Sequence, residues 1–256
     1  MLLAIDIGNT NIVLGVFDGE KLKATWRLST DVHKLEDEYS VVLLNLLEMK
    51  KLAFADIDHA VIASSVPPLV TIFSELCRRY FNVEPLVIGP GTKTGVRIEL
   101  DNPREAGADR IVNAAAAHSL YEGPLVVIDF GTATTLDAVS REGDYLGGAI
   151  APGIAISAEA LFEYAAKLPR VELVRPQKAI GRSTIAAMQS GIIFGYVGLI
   201  EGIVDRMKKE LGGSVKVIAT GGLADVIARE TDAVDALEPD LTLIGLRIIY
   251  ELNNGR

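Results

Sequence analysis

Cysteine is almost missing from this 256-residue sequence. Cys77 stands alone, which excludes an internal disulfide and a cysteine-built metal cluster and makes the reducing cytoplasm the expected location. Histidine is scarce too: His33, His59 and His118 share no repeated spacing and read as ordinary surface or core residues. No stretch approaches the roughly 18–20 consecutive apolar residues of a membrane span. The N-terminus starts on a strand and lacks the basic flank of a secretory signal. Positive charge is in deficit, with 25 Lys and Arg against 34 Asp and Glu and a net charge of −9. Nucleic acid is therefore not an expected partner, because a phosphate backbone demands a basic face. A small anionic substrate remains compatible, since a site can be locally basic on an acidic chain. What is present is the composition of a folded protein, 49% hydrophobic and 23% charged. The length suits one large domain or two of about 100–150 residues.

Short apolar runs bounded by Gly, Asn or Asp predict strands at 2–7, 11–18 and 21–29. A helix is expected at about 34–50, where Leu35, Tyr39, Val42, Leu43, Leu46 and Leu47 share a face. A buried strand "HAVIASS", a helix opened by Pro67 and Pro68 and a strand "PLVIGP" follow. Residues 92–106 read as a strand and a loop leading into a helix at about 107–120. The pattern then restarts: 124–150 reads strand, turn, strand, turn, strand, with helices at about 152–168 and 182–211. A strand at 216–222 and helices at about 223–230 and 240–253 complete it. Ile5-Asp6-Ile7-Gly8 lies over Ile128-Asp129-Phe130-Gly131. Two such halves imply a duplicated, two-lobed α/β protein with a cleft between lobes, dividing near 115–123 into 1–118 and 119–256.

A carboxylate beside a buried strand costs several kcal/mol unless something pairs with it. Asp6 and Asp129 each stand at such a place, followed by Asn9-Thr10-Asn11 or Thr132-Ala133-Thr134-Thr135. Glycine lets the chain turn tightly and an anion come close; turn N–H groups and hydroxyls then bind phosphate oxygens, and the carboxylate can hold a cation against them. A plain Asx-type turn explains either one alone. Two at equivalent places favour the phosphate reading. "TGG" at 220–222 adds a further point where a purine or ribose could approach the backbone. "GPGTKTG" at 89–95 does not fit the P-loop spacing, and no G-x-G-x-x-G opens a helix after a strand, so a dinucleotide-binding dehydrogenase is not expected.

In "DNPREAGADRIVNAAAAH" (101–118), Asp109 and Arg110 occupy the first turn of an alanine-rich helix. The helix dipole favours an aspartate there, which allows a simple cap. The same pair could equally take a hydroxyl proton and hold a carboxylate, on a helix whose Ala114 to Ala117 make it slim enough to lie at a domain junction.

Taken together, "DIGNTN" (6–11), "NPREAGADRIVNA" (102–114), "DFGTATT" (129–135), "GGAIAPG" (147–153), "GRST" (181–184) and "ATGGLA" (219–224) resemble the type III pantothenate kinases over essentially the whole chain. That family shares the actin-like, ribonuclease H-like ATPase fold of sugar kinases and Hsp70-type proteins. The resemblance implies ATP-dependent phosphorylation of pantothenate, the first step toward coenzyme A. It implies that Asp6, Ile7, Gly8, Asn9, Thr10, Asn11, Ile12 and Val13 wrap the ATP phosphates, with Asp6 near Mg²⁺ through water and Thr132 touching ATP. It further implies that Gly107, Ala108, Asp109 and Arg110 bind pantothenate, with Asp109 as proton acceptor, Arg110 on the carboxylate and Thr184 as another contact. Asp129 is implied to hold K⁺ or NH₄⁺, and the chain to form a homodimer. Leu100 departs from a tyrosine that many relatives carry before x-Asn-Pro. A non-catalytic ATP-binding regulatory protein, such as a transcription accessory factor, is the alternative; an intact Asp6, Asp109, Arg110 and Asp129 argues against it.

Overall fold

The computed structural model describes residues 1–255. Five strands form the first sheet: β1 (Leu2–Ile7), β2 (Asn11–Asp18), β3 (Lys21–Ser29), β4 (His59–Ser64) and β5 (Leu86–Val87), in the order β3-β2-β1-β4-β5. The hairpin strands run antiparallel, whereas β4 and β5 join in parallel through helical crossovers, as parallel neighbours require. β1 is buried on both faces, and alternation along it sends side chains to opposite sides. Leu3, Ile5 and Ile7 pack with Tyr39, Leu43 and Phe73 of α1 (Glu36–Met49) and α2 (Pro67–Leu76). Leu2 and Ala4 pack with Val112 and Ala115 of α3 (Ala108–Leu120) and with Leu246 and Ile249 of α7 (Leu241–Asn254). Asp6 therefore belongs to the face that α3 covers.

The second sheet contains β6 (Leu125–Phe130), β7 (Ala133–Val139), β8 (Tyr145–Pro152), β9 (Lys216–Thr220) and β10 (Ala236–Leu237), in the order β10-β9-β6-β7-β8. Its pairing senses repeat those of the first sheet strand for strand, so the duplication expected from the two Asp-x-Gly turns extends to the whole topology. α4 (Ile154–Tyr164), the long α5 (Thr184–Leu211) and the short α6 (Ala224–Ala228) accompany it. Val126, Ile128 and Phe130 bury against Ile192, Ile193, Tyr196 and Ile200 of α5. α5 is long and apolar enough to cross a bilayer by length and composition alone, although Thr184, Gln189, Ser190 and Glu201 interrupt its apolar run. Its apolar residues serve this core instead, and Gly212 at φ 67° ends it, a left-handed turn that glycine adopts without strain.

The chain forms two compact units. One comprises Met1–Val96, Asn102–Ala116 and the residues from Leu241 onward; the other comprises Arg97–Asp101 and Ala117–Asp240. The expected division after residue 118 lies two residues from the Ala116/Ala117 boundary, but α7 belongs with the N-terminal unit. A β-carbon at Gly245 of α7 would stand 2.2 Å from the Val112 carbonyl oxygen, so the two helices cross with their backbones nearly touching. Thr242 Oγ1 donates to Asn113 Oδ1 over 2.7 Å at the same crossing. The short segment 97–101 leaves the first unit because it hydrogen-bonds along β8: Tyr145 N–H to the Arg97 carbonyl, and Glu99 N–H to the Tyr145 carbonyl. It forms no strand of its own, against expectation, and the strand expected over "PLVIGP" shrinks to Leu86 and Val87 between Pro85 and the Gly89-Pro90 pair.

Candidate active site

The turn that follows β1 is closed by Gly8 N–H donating to the Asn11 carbonyl at 3.0 Å. Thr30, just beyond β3, clasps it from outside. Its hydroxyl donates to the Gly8 carbonyl at 2.6 Å, and its N–H donates to the Thr10 carbonyl at 3.0 Å. With those two carbonyls bound by Thr30, Asn9, Thr10 and Asn11 are exposed at the tip while Asp6 is half-buried. Ile12 is buried in β2, and Val13 pairs across from Asp6. Thr30 carries no motif, so nothing local in the sequence marks its role.

Asp109 stands in the same unit, as the second residue of α3. One carboxylate oxygen accepts the Arg110 N–H at 2.9 Å, and the other receives the Ser65 hydroxyl at 3.4 Å. Ser65 follows β4, and its N–H donates to the Ile7 carbonyl at 2.9 Å. One residue thus touches both the end of β1 and the Asp109 carboxylate, bringing the 6–13 turn and the first turn of α3 together at the C-terminal ends of the interior strands β1 and β4. A β-carbon at Gly107 would lie 2.5 Å from Asp109 Oδ1 and would displace that carboxylate. Ahead of it, Asn102 accepts the Arg104 N–H and donates to Glu105 over 2.7 Å, fixing the approach to the helix. Ala108 and Arg110 are half-buried beside it. Asp109 therefore meets the helix with one oxygen, as a cap would, and keeps the other toward a hydroxyl.

In the second unit the turn is one residue shorter. Ile7 pairs with Ile12 across residues 8–11, whereas Phe130 pairs with Thr134 across 131–133. Gly131 N–H donates to the Ala133 carbonyl at 3.0 Å, the counterpart of the Gly8 bond. Asp129 pairs with Thr135 on one side and Thr220 on the other. Thr135 Oγ1 donates to the buried Asp137, which also accepts the Tyr145 hydroxyl. The "TGG" glycine has a stricter duty than ligand approach: Gly221 is at φ +95°, and a β-carbon would fall 2.6 Å from both Asp129 Oδ1 and Phe130 N. Gly153 seats the other end of the turn, with its N–H on the Thr132 carbonyl at 3.1 Å. Thr132 itself is exposed.

Thr184 opens α5, behind the cap Ser183, whose hydroxyl accepts the Ala186 N–H. It lines a groove of about 710 Å³ between α4 and α5, apolar apart from Thr184, Ser157 and Tyr196. Leu100 packs on β8, where a β-carbon at Gly147 would come within 3.2 Å of it. Among the described residues no three of His, Cys, Asp and Glu are grouped to hold a metal. Asp6 and Asp129 are single carboxylates, and a cation at either fits a shell completed by hydroxyl, carbonyl, water or ligand oxygens, the donors that hard cations take.

Two similar structures share this architecture: the activator of the 2-hydroxyisocaproyl-CoA dehydratase from Clostridium difficile with bound ADPNP, and the ROK hexokinase from Thermus thermophilus. The first is 16% identical with a TM-score of 0.55, covering 99% of this chain and 94% of that one. The second is 14% identical with a TM-score of 0.50, covering 99% of each. The fold class is thus that of the actin-like ATPases and sugar kinases. Residues 2–206 match the model of the type III pantothenate kinase family. Relatives named type III pantothenate kinase are 55% identical in Moorella thermoacetica, over 99% of this chain and 100% of that one, and 56% identical in Roseiflexus sp., over 100% of both. The chain belongs to the type III pantothenate kinase family.

Proposed function

We propose that this chain transfers the γ-phosphoryl group of ATP to the primary hydroxyl of pantothenate, giving 4'-phosphopantothenate at the first step toward coenzyme A. Family membership over the full length carries the activity. The single structural observation that supports it is the Asp109 carboxylate, joined through Ser65 to the end of β1 where the 6–13 turn begins. In the reaction the pantothenate oxygen bonds the γ-phosphorus as the bond to the ADP oxygen breaks. Asp109 orients the hydroxyl and accepts its proton through the oxygen that the helix does not use. Arg110 pairs with the pantothenate carboxylate, Gly107 and Ala108 offer close backbone, and Thr184 adds a hydroxyl. The 6–13 turn and Thr132 hold ATP, with Asp6 facing the Mg²⁺ through water and Asp129 the K⁺ or NH₄⁺. Mg²⁺ and the monovalent cation supply compensation for charge spreading over the phosphate oxygens.

A homodimer in the cytoplasm completes the reading. Exposed apolar side chains on and near α4 and α5, among them Ile156, Leu161, Tyr164, Ile180 and Ile185, support a covered face there. The regulatory alternative is not favoured, because the curated relatives of matching length are named as kinases. The test is purified protein with MgATP and a panel of pantoic-acid amides, scored for ADP, free phosphate and phosphorylated product. One phosphorylated pantothenate per ADP is the expected result. ADP with free phosphate and no organic product would make it a phosphatase, and ATP binding without turnover a regulatory protein.

A further inference from the structure

Tyr196 lies in the middle of α5, 8% exposed, and its hydroxyl reaches the end of a different element. It donates to the Pro152 carbonyl at 2.7 Å. A phenol has one proton, so at the second contact, 2.6 Å from Ser157 Oγ, the serine is the donor. Pro152 pairs with Ala133, and the next residue, Gly153, donates its N–H to the Thr132 carbonyl. No side chain fits between them: a β-carbon at Gly153 would be 2.2 Å from the Thr132 oxygen and 2.6 Å from the Gly131 oxygen. Tyr196, Pro152, Gly153 and Thr132 therefore adjoin one another in unbroken series within a single unit. The far end of the series is the turn after Asp129. Its near end, Tyr196 with Ser157, lines the α4–α5 groove that contains Thr184.

We infer that Tyr196 is a positioning residue for the nucleotide. By holding the Pro152 carbonyl it sets the Pro152–Gly153 backbone, and that backbone sets the Thr132 turn. The inference rests on the reading of that turn as part of the ATP site. Pro152 is exposed and its bond to Tyr196 part-buried; deprived of the phenol, its carbonyl turns toward another donor, and the neighbour that shifts with it is Gly153, packed without slack on Thr132.

Tyr196→Phe removes the hydroxyl and keeps the ring in the core. Calorimetric titration with a non-hydrolysable ATP analogue and steady-state kinetics are measured on the full chain, alongside thermal melts. The expected result is a Kd for the analogue and a KM for ATP raised roughly 3- to 10-fold, the range of one ordinary hydrogen bond. The KM for pantothenate and kcat should stay within about twofold. A merely structural tyrosine would lower stability and kcat with no selective effect on ATP. An unchanged Kd and KM for ATP in a variant that melts as the wild type overturns the proposal. If Tyr196→Phe does not fold, Ser157→Ala, which removes the donor that orients the phenol, must raise the same Kd about twofold, and no change there overturns it equally. Wild-type protein that binds the analogue but does not phosphorylate pantothenate would sink the proposed function, while the titration of the variant would still decide the role of Tyr196.

Discussion

Replacing Gly131 and Gly221 separately with alanine distinguishes a glycine kept for a ligand from a glycine kept for the fold. Both flank the Asp129 carboxylate. At Gly131 a β-carbon would sit 3.5 Å from the Ala133 oxygen and 3.6 Å from Asp129 Oδ1, which is ordinary van der Waals distance, and its φ is not among the positive ones. Alanine there fits the protein, and its smaller unfolded-state entropy should leave stability level or raise it by about 0.4–1 kcal/mol. Its methyl would instead hold phosphate away from the turn. Breaking one charge-assisted hydrogen bond to the phosphate costs about 1.5–3 kcal/mol, or a Kd roughly 10- to 150-fold weaker. At Gly221 the φ of +95° costs a β-carbon residue about 1–2 kcal/mol. The 2.6 Å approach to Phe130 N must also open by 0.8 Å to reach the 3.4 Å of normal packing (3.4 − 2.6). Together these should cost about 2–4 kcal/mol, a fall in Tm of roughly 5–15 °C for a chain of this size. Thermal melts and titration with a non-hydrolysable ATP analogue read both variants. Gly131→Ala that binds the analogue as the wild type does, or Gly221→Ala that melts with it, would refute the argument.

Asp109→Asn should keep ATP affinity and the melting temperature while turnover falls by roughly 10²–10⁴; a loss mainly of stability would reduce Asp109 to a helix cap. Ser65→Ala should lower kcat about 3- to 10-fold, by releasing the second carboxylate oxygen, and leave the Kd for ATP unchanged; equal turnover in variant and wild type would remove Ser65 from the site. Turnover in a potassium-free sodium medium should be low and recover on titration with KCl at constant ionic strength, whereas Asp129→Ala should stay inactive at every K⁺ concentration. Full wild-type activity without K⁺ or NH₄⁺ would dismiss that cation. Burial pushes the Cys77 thiol up to about 12, so at pH 8 it is almost wholly protonated and a disulfide reagent should label it only after denaturation; rapid labelling of the native protein would contradict its packing.

The three opening strands were legible because their signals are local. Alternation, the Asn and Gly of the turns and the hairpin spacing lie within 29 residues, and β1, β2 and β3 fall where the pattern predicts. The same holds for the repeat: Asp6 and Asp129 marked two turns, and both sheets proved to share one strand order. Weak local signals gave nothing to read. Ala236 and Leu237 form β10 on two residues, too few for any periodicity to register.

Residue types at the turns and on α3 are properties of the chain itself, and they determined which chemistry this protein can hold. What the carboxylates touch was settled only by folding. Ser65 reaches Asp109 across 44 residues, and Thr30 reaches Gly8 across 22. The glycines show the same division. Gly221 reads in sequence as room for a nucleotide and is in the structure the cover over Asp129, while Gly245, which no sequence signal marks, is the point where α7 meets α3. At both glycines a β-carbon is excluded by an atom 2–3 Å away, and that atom comes from a distant part of the chain. Local propensity carries no information about it, because steric exclusion acts between neighbours in space.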